Sequence, residues 1–154
     1  MILRATLCAG LAIAGCVAAA SRDSATIVDS GSTNSYGYTI QLWSDGKGSI
    51  TLQERDGSAV ATPKPFTVSA STAARFFSDV AAAHKGNISA APCMKSASFG
   101  TSTRVKWQGW VSPDLTCPPN DSLGEALVRD VDAIRQAAGV GAPPLRNAPR
   151  IEPS

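Results

Sequence analysis

The stretch YGYTIQLWSDGKGSITLQ, residues 36–53, decides the fold. Tyr36, Tyr38, Ile40 and Leu42 alternate with Gly37, Thr39, Gln41 and Trp43; the chain then breaks at Asp45-Gly46-Lys47-Gly48, and apolar residues return at Ile50 and Leu52. A period of two on both sides of an Asp-Gly turn predicts a β-hairpin with one buried and one wet face. Trp43 falls on the wet face, beside Thr39 and Gln41. A hairpin of this kind is stable only when another layer covers its apolar side, and the flanking sequence supplies one.

Downstream, Asp56-Gly57 marks a turn, and Pro63 and Pro65 are expected to stop any strand begun at Ala59. The next segment, SASTAARFFSDVAAAHKG, has Ser71 as N-cap, Ala73, Phe76, Phe77, Val80 and Ala81 at helical spacing, and Gly86 as the stop. It predicts a helix over about 72–85. SFGTSTRVKWQGWVS returns to period two, with Phe99, Thr101, Thr103, Val105 and Trp107 on one side and Ser98, Gly100, Ser102, Arg104 and Lys106 on the other. Gln108-Gly109 suits a two-residue hairpin loop that sets Trp107 across from Trp110. Ser122-Leu123-Gly124-Glu125 is a capping-box pattern, followed by an apolar stripe of Leu123, Leu127, Val131, Ile134 and Ala138 ending at Gly139. The expected fold is therefore α+β, two-layer: an antiparallel sheet of about four strands in two hairpins, packed against two helices in the order ββαββα.

Outside residues 36–139 the composition changes. Residues 16–35 are rich in Ala, Ser, Asp and Gly and predict a flexible tether, although Ala25 to Val28 has enough β-branching to add an edge strand. Residues 140–154 hold four prolines in fifteen positions, incompatible with a helix or interior strand, so an extended or disordered tail is expected. At the other end Arg4 precedes an uncharged apolar run, Ala5 to Ala14, which is too short for a hydrocarbon core needing about 20 residues. This predicts a cleaved export signal over residues 1–15.

Two cuts compete. Ala18-Ala19-Ala20 fits the small-x-small rule of the general signal peptidase, which leaves a soluble periplasmic or secreted chain. Ile13-Ala14-Gly15-Cys16 resembles the lipobox of bacterial lipoproteins, and this is the reading adopted. The resemblance implies a diacylglycerol on the Cys16 thiol, cleavage before it and acylation of the new amine, so that the chain meets the membrane through a lipid anchor at Cys16. Val17 in place of Asp after that cysteine implies, by the enterobacterial sorting preference, the outer membrane. Tyr36 to Leu52, with its alternating apolar residues and Asp-Gly turn, also resembles an uncharacterised family of small exported bacterial domains, which implies no activity.

The chain has 154 residues, 44% hydrophobic and 17% charged, suited to one globular domain with tails. Its formal charge of +2 includes Arg4, and no basic run or basic helix face speaks for a nucleic-acid partner. Of its four cysteines, Cys8 leaves with the signal and Cys16 carries lipid. Cys93 and Cys117 remain, an even pair that predicts a disulfide in an oxidising compartment. A metal site is a poor rival, since one histidine and no closely spaced second cysteine leave too few ligands.

No catalytic motif is present: no Gly-x-Ser-x-Gly, phosphate loop or His-Glu-x-x-His. The lone His84 is explained by capping the last carbonyls of its helix. The acids Asp45, Asp56, Asp130 and Asp132 are scattered over turns and helix surfaces, so an unrecognised hydrolase would need tertiary structure to assemble its carboxylates. The expected function is non-catalytic binding, of an envelope protein or a glycan, with no cofactor. Trp43, Trp107 and Trp110 are either cross-strand packing or an exposed binding platform. The region APCMKSASFGTSTRVKWQGW, closed by Cys117, resembles the reactive region of subtilisin-inhibitor-type protease inhibitors. That resemblance implies a disulfide-braced loop at Cys93–Lys95 presenting Met94 and Lys95 to a protease cleft. The family's second disulfide is absent here, the span between the cysteines is shorter, and a C-terminal helix is added.

Overall fold

In a computed structural model the described residues are 22–96 and 100–140; the export signal, Cys16, the first part of the expected tether and all but the first residue of the proline-rich tail lie outside them. The domain is α+β, as expected. Six antiparallel strands, β1 (Ser24–Asp29), β2 (Gly37–Trp43), β3 (Lys47–Gln53), β4 (Lys64–Thr67), β5 (Thr103–Trp107) and β6 (Trp110–Val111), form one sheet in the order β4-β3-β2-β1-β5-β6. Helices α1 (Ala70–Gly86) and α2 (Ser122–Ala137) cover one face.

Two strands exceed the expected four. Residues 24–29, placed in the tether, form neither linker nor sheet edge: β1 lies at the centre, between β2 and β5. Its Ala25, Ile27 and Asp29 are buried and its Ser24, Thr26 and Val28 half-buried, a full period of two compressed into six residues. The domain therefore begins before residue 36. β4 contains Pro65, opposite Ser49. Because β4 is an edge, one row of its N–H groups faces away from the sheet and a missing donor is tolerated there. Phe66 lays its ring over Gly48, where a Cβ would stand 2.3 Å from the ring, so the glycine expected in the turn is part of β3 and makes room for an aromatic cover.

The register stacks the core in rows. Val105, Ile27, Ile40 and Ile50 stand side by side on β5, β1, β2 and β3, and all but Ile50, at 8%, are fully buried. A parallel row, Thr103, Asp29, Tyr38 and Leu52, lies towards the end of the sheet where β5 begins.

Helix α1 presents Ala73, Phe76, Val80 and Ala83 to this face. Its N-cap is Ser69 rather than Ser71: the Ser69 hydroxyl accepts from the Thr72 N–H at 3.1 Å. Its stop is Asn87, in the left-handed region at φ 49°, not Gly86. Gly86 stays helical and is small for another reason, since a Cβ there would lie 2.8 Å from Leu123 Cδ1 of α2. The capping box of α2 likewise moves by one residue, with Asp121 accepting from the Gly124 N–H at 2.8 Å. Leu127, Val131 and Ile134 complete the core, and Val140 folds back onto it after Gly139 at φ 75°. The helices are tied by Arg75 Nε donating to Asp130 at 2.6 Å, the carboxylate being 2% exposed.

Shortening Ile27 to Ala leaves a void between three strands and under both helices. The expected loss is about 3–4 kcal/mol, in the middle of the range for buried aliphatic truncations. Val60→Ala, at a residue 42% exposed, is the control and shifts stability by less than about 0.5 kcal/mol. Urea denaturation followed by far-ultraviolet circular dichroism separates the two.

Candidate functional site

Cys93 and Cys117 are joined in a disulfide with Cα atoms 5.5 Å apart, as their pairing in sequence anticipates. The arms leading into it run antiparallel: Ala91 N–H donates to Pro118 O at 2.9 Å and Asn120 N–H to Ser89 O at 3.3 Å. Beyond the bridge, Lys95 folds back and its Nζ donates to the Asp114 carboxylate, the Thr116 hydroxyl and the Thr101 carbonyl. Asp114 is the hub of this corner. Its Oδ1 also accepts from the N–H groups of Thr103 at 3.2 Å and Thr116 at 3.1 Å, and from the Thr116 hydroxyl at 2.8 Å. Gly100 closes the loop, donating to Ser96 O at 2.8 Å; a Cβ at Gly100 would meet that oxygen at 2.6 Å, so only glycine lets the strands of the loop approach this closely.

Met94 stands between these two fixings. Its side chain is fully exposed, at 103% of its reference area, on the rim of an open hollow of about 360 Å³. Exposure of a whole thioether chain buries nothing in the free protein and leaves about 1.5–3 kcal/mol to be gained when a partner covers it. The residues on either side are held covalently and ionically, so little backbone ordering remains to oppose that contact, and the rotamer freedom of the Met94 side chain is the main entropy lost. Lys95, by contrast, is not offered to a partner: its ammonium is spent inside the corner. Of the two residues that the protease-inhibitor resemblance assigns to the loop, the structure presents Met94 and folds Lys95 away.

The three tryptophans do not share one face of the sheet. Ser24 pairs with Trp43 and Thr26 with Lys106, so β1 puts Trp43 on the open face and Trp107, one residue past Lys106, on the helix-covered face. Trp107 donates its indole N–H to Asp23 at 3.0 Å. The His84 ring meets Trp107 edge-on at 6.0 Å and stacks on Trp110 at 5.5 Å. His84 thus packs against aromatics, and it is its carbonyl that takes the helix-ending N–H of Asn87. Trp107 and Trp110 form the expected cross-strand pair across Gln108-Gly109, both at positive φ. Trp43 alone remains half-exposed on the uncovered polar face.

Two polar groupings were invisible as such in the sequence. On the covered face Asp29 accepts from Thr103 Oγ1 at 2.6 Å and from Gly31 N–H at 2.9 Å. Beside them is the Tyr38 hydroxyl, pushed up to about 12 by burial first and then by the Asp29 charge. Thr103 is near enough to favour its phenolate but outside hydrogen-bond geometry, so the hydroxyl has no partner. Arg135 lies over the Tyr38 ring at 5.7 Å. Between the helices, Asp79 is raised above the ordinary aspartate value by burial and by Asp130. That carboxylate pair, held by Arg75, braces α1 against α2; the cavities near Met94, Arg135 and Val140 are lined by other residues. Among the described residues no three His, Cys, Asp or Glu side chains gather as metal ligands.

No family model, curated protein or solved structure matches the chain.

Partial burial works to raise the Asp114 carboxyl, but hydrogen bonds from Lys95 and Thr116 outweigh it and hold the group well below the usual range. A carboxyl lowered on folding adds stability that is complete above its unfolded value, near 3.8, and drains away as pH falls below that towards the folded value. Asp114→Asn is therefore expected to be less stable than the wild type by a constant margin above about pH 5. The margin shrinks steadily below about pH 4. Urea midpoints of both proteins from pH 7 to pH 2.5 measure it.

Proposed function

We propose that this chain is an exported cell-envelope protein, anchored to the membrane by lipid on Cys16, whose domain works by binding an envelope protein or glycan rather than by catalysis. The observation that carries the reading is the braced corner: a disulfide, which persists in oxidising compartments, stiffening a loop that holds one apolar side chain wholly in solvent. The lipobox-like Ile13-Ala14-Gly15-Cys16 supports the anchor, and its acyl chains together exceed the marginal hold of a single chain. Cys16→Ser in the native host is the test. Wild type in the membrane fraction, with the variant released or left unprocessed, is the expected outcome. Both proteins soluble with Ser21 at the N-terminus would mean cleavage after Ala20 and no lipid.

A second reading rests on Met94. Its presentation between a disulfide and an ion pair supports a protease inhibitor of subtilisin-inhibitor-like type, with Met94 as the residue entering the cleft. Since Lys95 is engaged by Asp114, such an inhibitor acts on subtilisin, which accepts an apolar side chain, in preference to trypsin. Titrating each protease with the purified protein decides: stoichiometric loss of subtilisin activity that Met94→Asp abolishes supports it, and plain digestion or indifference removes it.

A further inference from the structure

The position of β1 limits how far any lipid on Cys16 can sit from the start of that strand. Arg22 is already placed by an ion pair to Asp45 at 3.2 Å, and Ser44 N–H donates to Asp23 O at 2.9 Å. Six Cα–Cα steps lead from Cys16 to Arg22, a reach of at most about 21 Å even when fully extended. A lipid on Cys16 is thus tied within that reach of the end of the sheet where β1 starts.

The register gathers a particular set of side chains there. Antiparallel pairing brings the start of β1 together with the end of β2 at Trp43, the start of β3 at Lys47 and the end of β5 at Trp107, with Trp110 across the tip. Helix α1 reaches the same end: Val68 donates to Gly46 O at 2.8 Å just before it, and His84 stacks on Trp110 in its last turn. Its 17 residues, about 25 Å at 1.5 Å each, match the roughly 24 Å that six strands span. All three tryptophans of the chain therefore lie on one rim although they occupy two faces. Lys47, Lys85 and Lys106 are exposed beside them, while the neighbouring acids Asp23 and Asp45 are engaged by Trp107 and Arg22. Indole rings favour the headgroup level of a bilayer, and lysines there gain from anionic lipid.

We infer that this rim, Trp43, Trp107 and Trp110 with Lys47, Lys85 and Lys106, is a membrane-docking surface that seats the domain on an anionic phospholipid bilayer with the Met94 loop pointing away. The inference rests on the lipid anchor proposed at Cys16. Asp29, at the far end of β1, lies about 17 Å from Ser24, and the corner of Lys95, Asp114 and Thr103 lies beside it. Seating the rim on lipid holds the exposed Met94 clear of the bilayer and open to a soluble or wall-borne partner.

The test uses the full lipidated chain purified from its membrane and returned to vesicles of phosphatidylethanolamine and phosphatidylglycerol, with and without phosphatidylcholine brominated high on its acyl chains. Tryptophan emission is expected to fall in the brominated vesicles, and Trp43→Phe to remove the share of the loss that comes from the open face. Lys47→Glu with Lys106→Glu is expected to weaken it. A reporter placed by Met94→Trp in the Trp43→Phe protein should add emission that bromine leaves untouched. Emission unaffected by bromine in protein shown by mass spectrometry to carry lipid on Cys16 overturns the docking and leaves the anchor standing. Equal quenching at positions 43 and 94 also overturns it, by showing a domain without preferred orientation. Protein lacking lipid on Cys16 overturns anchor and docking together.

Discussion

Ile27 sits where the two halves of the domain meet. Ile40 flanks it on β2 and Val105 on β5, all without exposed surface, and the helices close over the row they make. The hairpin of β2 and β3 and the hairpin of β5 and β6 share no ladder with each other; both pair, directly or through a neighbour, with β1. Each is marginal as an isolated ribbon. One six-residue strand makes them a single sheet broad enough to bury Phe76, Leu127 and Ile134, and every later feature, the braced corner included, takes its position from that sheet.

The corner itself depends on several small fixings acting on the same few atoms. The disulfide joins the ends of its loop, Lys95 fills the space behind, and Asp114 collects donors from Lys95, Thr103 and Thr116. Thr103 carries the effect into the core, because its hydroxyl holds Asp29 in the row next to Ile27. The surface around Met94 is thus continuous, through Asp114, Thr103 and Asp29, with the buried rows of the sheet.

Residues with an unbroken pattern were legible from sequence. The alternation of Tyr38, Ile40 and Leu42, the pair across Gln108-Gly109, the stripe of Leu127, Val131 and Ile134 and the Cys93–Cys117 bridge all take the places expected. β1 was legible only as an edge strand over Ala25 to Val28 and not as the centre of the sheet, because its alternation spans six residues and is flanked by Ser, Asp and Gly, the composition of a linker. β4 was hidden by Pro65, which excludes an interior strand but not an edge. Without β1 the parity separating Trp43 from Trp107 cannot be read, and without the fold nothing in the turn sequence SPDLT, residues 112–116, marks Asp114 as the acceptor for a lysine 19 residues away. The helix caps moved by one or two positions where Ser69, Ser71 and Thr72 all offer hydroxyls, and where Asp121 precedes Ser122.

The pairing of β1 with β5 joins residues as far apart as Thr26 and Lys106. A contact of that span forms late, because most of the chain must be present before it can close. In a polypeptide made and delivered N-terminus first, the strand that organises the sheet is the first to emerge and waits for a partner some 80 positions behind it. Until then its Ile27 has no neighbour on one side and the domain cannot lock. For a chain proposed to be exported, this ordering is an advantage: a fold that cannot complete until its second half arrives stays threadable through a narrow pore, and becomes compact only on the far side, where the oxidant that joins Cys93 to Cys117 is also found.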